Sequence, residues 1–243
     1  MPAPDDQPTL LLVHGAWCGG WMWEPTAQLL REQGRSVVVV DRLPSTGTDP
    51  AVLDTLTEDA AHVGRVLDTL DGPAVLCGHS YGGMVITELA QHPGVVHSVY
   101  LSAFWPRAGE SLISILGDGP PPDWQVIRDD GAIAITDDEV RATDALFADL
   151  PETAAQSAYA QLVLQSLPSF LTPSSGAAHA HPTTYVVCTE DRAIPPAAQD
   201  AMAASADAVL RLDSAHCPQL SHPAAVARIL ADVAAAPAPQ DAA

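Results

Sequence analysis

Ser80 stands at the centre of Gly78-His79-Ser80-Tyr81-Gly82, a Gly-x-Ser-x-Gly pattern that directly follows the apolar run Pro73-Ala74-Val75-Leu76-Cys77. That context predicts a short buried strand turning sharply into a helix that starts near Gly83. The apex serine is then forced into a strained backbone conformation, and small neighbours let strand and helix approach. Its hydroxyl is held out at the C-terminal edge of a sheet, and the backbone N–H of Tyr81 faces an incoming carbonyl oxygen. The chemistry such a serine can do is nucleophilic acyl transfer. The bland alternative is a serine in an ordinary Gly-rich turn.

A serine hydroxyl attacks poorly until a base takes its proton, and the base needs a third group to fix its tautomer. Serines on such turns use the chain order serine, acid, histidine. His216 follows the strand-like run Ala208–Leu212 and the polar loop Asp213-Ser214-Ala215, which makes it the preferred base. His222 in Ser221-His222-Pro223 reads as the cap of a last helix. His79 is expected to point away from Ser80 into the packing around the turn. His62, His92, His97, His179 and His181 fall on helices, turns or an insert, where histidine is usually solvated or structural. For the acid, Thr183–Thr189 ends in Glu190-Asp191; Asp191 is preferred over Glu190, and Asp213 comes third.

An oxyanion hole needs two backbone N–H groups. Tyr81 supplies one by position, and the other is expected from the loop His14-Gly15-Ala16-Trp17, at Ala16. Gly15 is expected to supply torsional freedom there. The glycines of this loop fit neither G-x-G-x-x-G nor G-x-x-x-x-G-K-[ST], so a nucleotide site is rejected.

The elements that must position these groups alternate along the chain. Strands are expected at Thr9–Val13, Ser36–Asp41, Ala74–Cys77, Val95–Ala103, Thr183–Thr189 and Ala208–Leu212. Helices are expected at Trp21–Gln33, Asp54–Leu70, Gly83–Gln91, Pro195–Ala204 and Pro223–Ala235. Near-continuous apolar strands separated by helices imply an α/β fold with a mostly parallel, doubly wound sheet covered on both faces. The rhythm pauses between Trp105 and His181. Amphipathic helices at Asp137–Asp149 and Glu152–Leu164 suggest an inserted helical lid over residues 105–181, with residues 1–104 and 182–243 forming the core. A helical decoration that only covers apolar surface is the alternative. The Ala/Pro-rich tail Ala234–Ala243 is expected to fray.

At 243 residues the chain suffices for one large domain. Its net charge of −20, with ten arginines and no lysine, argues against nucleic-acid or membrane-surface partners and disfavours a polyanionic substrate. No apolar stretch approaches the ~20 residues that span a bilayer. Met1–Asp6 has no basic region or apolar core of a secretory signal. Cys18, Cys77, Cys188 and Cys217 include no close pair, so neither a disulfide framework nor a metal site is expected, and a cytoplasmic location follows.

In combination these stretches resemble the α/β-hydrolase superfamily, and more narrowly its branch of plant methyl esterases, hydroxynitrile lyases and related bacterial esterases. The resemblance is carried by Leu10–Trp21, Gly78–Met84, Tyr100–Phe104, Val187–Pro196 and Ala215–Pro218. It implies a triad of Ser80, Asp191 and His216, with oxyanion donors at Ala16 and Tyr81. The lyases of this branch carry a threonine after the first-strand histidine and a lysine after the catalytic histidine; here Gly15 and Cys217 stand there, which speaks against lyase chemistry. The expectation is therefore a serine hydrolase of a small, largely apolar carboxylic ester or lactone, with no cofactor and no metal. Trp17, Phe104, Trp105, Trp124 and Phe170, together with Gly15, are expected around its pocket. Thioesterase, perhydrolase or carbon–carbon bond hydrolysis on the same machinery, and a small-molecule receptor, stay open. So does the choice between monomer and homodimer.

Overall fold

In a computed structural model, which describes residues 7–117 and 119–236, two sheets are present. Met1–Asp6 and the end of the Ala/Pro-rich tail lie outside the described residues. In chain order the first elements are β1 (Thr9–Val13), α1 (Glu24–Glu32), β2 (Val37–Val39), β3 (Thr46–Gly47), α2 (Leu56–Leu67), β4 (Ala74–His79), α3 (Gly82–Thr87) and β5 (Val95–Leu101). An insert follows: α4 (Leu112–Leu116), β6 (Gln125–Ile127), β7 (Ala132–Ile135), α5 (Glu139–Leu146), α6 (Glu152–Tyr159), β8 (Leu164–Ser166) and α7 (Leu167–Leu171). The chain closes with β9 (Thr183–Cys188), α8 (Pro196–Ala203), β10 (Ala208–Leu212), α9 (Pro218–Ser221) and α10 (Pro223–Ala235).

The main sheet runs β10-β9-β5-β4-β1-β2, and every neighbouring pair is parallel. Parallel strands buried on both faces need apolar residues at consecutive positions, and β1 shows the consequence. Leu10 and Leu12 face α1 and α10 with Trp23, Leu30, Val226 and Leu230, while Leu11 and Val13 face α2 and α3 with Val63, Met84 and Val85. The alternation follows from the period of two along a strand. At about 25 cal/mol per Å² of apolar surface buried, these two layers supply most of the drive to fold. They also fix the carboxyl ends of β1, β4, β9 and β10, the edge where ligands of such sheets bind.

The insert differs from the expected bundle of helices. Two of its helices lie inside the expected ranges, but β6, β7 and β8 join β3 in an antiparallel sheet of order β3-β8-β7-β6. Strands of three or four residues such as Leu164–Ser166 carry too little alternation to be read from sequence. Because β3 belongs to the core, its pairing Thr46↔Gln165 and Gly47↔Leu164 ties the insert to the main body. No helix among the described residues is long and apolar enough to cross a membrane.

Candidate active site

The turn after β4 has the strain expected of it. Ser80 adopts φ 53°, and its carbonyl accepts from the N–H of Gly83 at 3.0 Å and of Phe104 at 3.1 Å. The backbones close so tightly that a Cβ on Gly78 would lie 2.5 Å from the Gly82 oxygen, and one on Gly83 would lie 2.2 Å from the Phe104 oxygen. No side chain fits either place. Ser80 is thereby held at the carboxyl edge with its side chain on a cavity.

His216 lines the same cavity. Its Nδ1 is 2.8 Å from Asp191 Oδ2, and both side chains are almost fully buried. A carboxylate at Nδ1 places the ring proton there and leaves Nε2 as the unprotonated nitrogen. Asp191 is itself held on all sides. Its Oδ1 accepts from the Ala193 and Ile194 N–H groups at 2.8 and 2.9 Å, and its Oδ2 also accepts from Gln199 Nε2 at 2.9 Å. Glu190, by contrast, is exposed, and Asp213 accepts from Thr189 Oγ1.

Three supports of this arrangement escaped sequence reasoning. Gln199 on α8 is wholly buried; besides holding Asp191, it accepts from the Cys188 N–H and donates to the Ile194 carbonyl. The His216 carbonyl accepts from His79 Nε2 at 2.8 Å and from Ser102 Oγ at 3.0 Å. His79, as expected, thus faces the packing, and burial together with the neighbouring His216 ring at 4.8 Å keeps it neutral, far below the usual imidazole range. Asp149 of the insert accepts from the Ala215 N–H and the Ser221 hydroxyl, clasping the His216 loop. His222 begins α10 but makes no cap; its ring bonds the Ser221 hydroxyl instead. The contacts of His79, Ser102 and Asp149 pair residues far apart in the chain, which no spacing in the sequence signals.

Ala16 and Tyr81 border the cavity beside Ser80, and among the described residues neither backbone N–H donates to a protein acceptor. Gly15 has a different role from the one expected. The left-handed residue of this loop is Trp17, at φ 61°, while Gly15 provides room: a Cβ on it would lie 2.9 Å from the Ser80 Cβ. Trp17, Phe104, Trp124 and Phe170 line the cavity, and the Trp17 ring meets Trp124 and Phe170 edge-on at 5.5 and 5.6 Å. Trp105 does not. The Phe104 N–H is fixed to Ser80, and the next side chain turns away to stack on Tyr100 at 4.3 Å, bordering a separate surface groove. Leu112, Leu116, Pro122, Gln125, Ala193 and Ile194 complete the lining, and among the described residues no acidic or permanently cationic side chain belongs to it.

A parallel sheet crossed by helices on both faces, with a strained serine at the carboxyl end of its central strand, is the architecture of the alpha/beta hydrolases. The model of the alpha/beta hydrolase family matches residues 10–229, and the chain belongs to that family. A carbendazim hydrolyzing esterase of Nocardioides is 37% identical over 124 residues, covering 46% of this chain and 49% of the esterase. Polyneuridine aldehyde esterase of Rauvolfia serpentina is 33% identical over 113 residues, 44% of this chain and 42% of that protein. The chain thus spans about half the length of each of these two relatives. The crystal structure of a pyrethroid hydrolase from Sphingobium faniae superposes with a TM-score of 0.83 at 26% identity, covering 96% of this chain and 99% of that one.

Proposed function

We propose that this chain is a serine carboxylic ester hydrolase acting through an acyl-enzyme. The observation that carries the reading is the His216–Asp191 contact at 2.8 Å on the cavity that also holds Ser80 and two unpaired backbone N–H groups. Ser80 Oγ attacks the ester carbonyl while His216 Nε2 takes its proton, and Asp191 orients the ring and stabilises the imidazolium. The N–H groups of Ala16 and Tyr81 hold the oxyanion, each worth about 2.7–4 kcal/mol in the transition state. His216 returns the proton to the departing alcohol; water, deprotonated by the same histidine, then releases the acid and restores Ser80.

The lining supports an uncharged, largely apolar ester or lactone, since a carboxylate or ammonium in the cavity would be desolvated among described side chains that are predominantly apolar. The similarity to a carbendazim hydrolyzing esterase and a pyrethroid hydrolase supports ester hydrolysis. Residues 105–181 form the roof over the site, and the enzyme works in the cytoplasm without a cofactor.

The test is hydrolysis of p-nitrophenyl esters of increasing acyl length by the wild type and Ser80→Ala, with burst kinetics. Turnover that disappears in the variant, with an optimum at short acyl chains, is expected. A folded wild type with no turnover, or a variant as active as the wild type, would sink the reading.

A further inference from the structure

Two oxyanion donors work only if both lie 2.7–3.1 Å from one point, yet Ala16 follows β1 and Tyr81 follows β4. A buried chain of hydrogen bonds joins them. The Tyr81 hydroxyl donates to Asp59 Oδ2 at 2.7 Å, and Asp59 Oδ1 accepts from the Ser45 N–H at 2.8 Å. The Ser45 hydroxyl accepts from Gln165 Nε2 at 2.8 Å, and Gln165 Oε1 accepts from the Trp17 N–H at 3.3 Å. Gln165 also donates to Ser169 Oγ at 2.7 Å. Ser45, Asp59, Tyr81, Gln165 and Ser169 are all wholly buried.

Both ends of this chain act on the hole. At one end Gln165 takes the Trp17 N–H, and the left-handed turn at Trp17 leaves the Ala16 N–H free towards the cavity. At the other the phenol fixes the residue whose backbone N–H is the second donor. Asp59 is the member whose chemistry cannot be replaced by a similar shape. As a carboxylate it only accepts, so it takes the Ser45 N–H and the Tyr81 O–H together. An amide there would turn an N–H towards Tyr81, and the phenol would have to find another acceptor.

We propose that Asp59 is a positioning residue of the oxyanion hole, holding the Tyr81 N–H at its working separation from the Ala16 N–H. That role rests on the hydrolase reading above. No basic side chain among the described residues is within ion-pair range of Asp59, so it is a buried charge satisfied by hydrogen bonds alone. Such a group lowers stability and needs a return other than folding.

The experiment compares wild type, Asp59→Asn, Tyr81→Phe and Gln165→Leu. It measures active-site titre by p-nitrophenyl acetate burst, kcat and KM per titrated site, and the inhibition constant of an aliphatic trifluoromethyl ketone. That ketone forms a hemiketal oxyanion on Ser80 and so reads the hole directly. We expect Asp59→Asn to lose at least tenfold in kcat with KM changed less than twofold, and to bind the ketone more weakly by the same factor. Tyr81→Phe, which removes one hydroxyl only, moves in the same direction, and so does Gln165→Leu. A purely structural role would lower the titre and leave kcat and ketone binding per site unchanged, and that result overturns the proposal. If Asp59→Asn does not fold, unchanged per-site values in Tyr81→Phe overturn it equally. A wild type without Ser80-dependent turnover removes the hydrolase reading first, and this role with it.

Discussion

The buried carboxylate of Asp59 has a thermodynamic signature that can be measured without any substrate. Burial pushes its pKa up to about 6 from an ordinary 3.8, against the lowering effect of its bonds from Ser45 and Tyr81. The difference corresponds to about 3 kcal/mol at 1.36 kcal/mol per pH unit. Because the folded value is the higher one, the native state binds the proton more tightly than the unfolded chain. Stability from this group is fully present below pH 3.8 and is lost as pH rises through about 6. His14 has the opposite sign. Desolvation lowers it from 6.5 to about 4, so its contribution is present above pH 6.5 and lost, by about 3 kcal/mol, as pH falls to 4. His79, lowered by burial and by His216, adds to that loss. In the wild type the gain at Asp59 offsets the histidine losses, and Asp59→Asn removes the offset.

The stability of Asp59→Asn relative to wild type is therefore expected to fall by about 2.4 kcal/mol between pH 8 and pH 4, where the unfolded carboxyl is already partly ionised. With a urea m-value on the order of 3 kcal/mol/M for a chain of this size, that is a change of about 1 M in the difference between midpoints. The reversed hydrogen bond at Tyr81 adds an offset that is equal at every pH and cancels from the comparison. Tryptophan fluorescence along urea titrations at five pH values suffices. Parallel stability profiles would show that Asp59 does not titrate in this window and would refute the argument from burial. Taken with the kinetics proposed above, the expected variant gains stability relative to wild type as pH rises and is slower per titrated site, a combination that loss of folding cannot produce.

Two other substitutions probe the frame around the site. Gly83→Ala places a methyl 2.2 Å from the Phe104 oxygen, so α3 or the Phe104 segment must move; a loss of about 1–3 kcal/mol in urea unfolding is expected, together with reduced turnover, and an unchanged midpoint would contradict the tight approach. Gln199→Leu removes one donor from Asp191 and leaves the Cys188 N–H and Ile194 carbonyl without their partner. At about 1–3 kcal/mol for each buried orphan, a loss of at least 2 kcal/mol is expected with a lower kcat at similar KM, whereas wild-type stability would show that the amide is dispensable.

What the sequence made legible is what short-range pattern controls. Leu10–Val13, Ala74–Cys77 and Tyr185–Cys188 are apolar at consecutive positions because both faces of a parallel sheet are covered, and this signal survives without knowledge of neighbours. The turn at Ser80 is legible for the same reason, since its glycines are demanded by backbone crowding within a few residues. Asp191 and His216 follow from chain order and loop position, and the structure brings their side chains together. The rest depends on contacts across long chain distances. Gln165 reaches Trp17 and Ser45, Asp149 reaches Ala215, and nothing local in Leu164–Ser166 or Ala148–Leu150 marks either residue. Residue type alone places Trp105 at the pocket; its stacking on Tyr100 depends on where Phe104 is anchored, which only the fold decides.

The same contacts bear on how the roof over the cavity can behave. A hinged lid requires an insert whose bonds to the core can break together at little cost. Here the Trp17 ring N–H donates to the Ile133 carbonyl, the Val163 N–H donates to the Trp17 carbonyl, and Gln165 takes the Trp17 N–H. Asp149 holds the loop of the base, and β8 pairs with β3. At about 1 kcal/mol net per hydrogen bond, and more for each buried group left unpaired, lifting the whole insert would cost several kcal/mol. It would also release the loop that carries Ala16, the proposed oxyanion donor. The insert is bonded to the loop that carries Ala16 rather than laid over it, so under the proposed function any opening compatible with catalysis leaves β7 and β8 in place. The wall free of these bonds is the edge at α4, where Leu116 is already 39% exposed. Substrate entry past Leu112 and Leu116 preserves the proposed donors, whereas entry by raising the sheet would dismantle them before the proposed chemistry began.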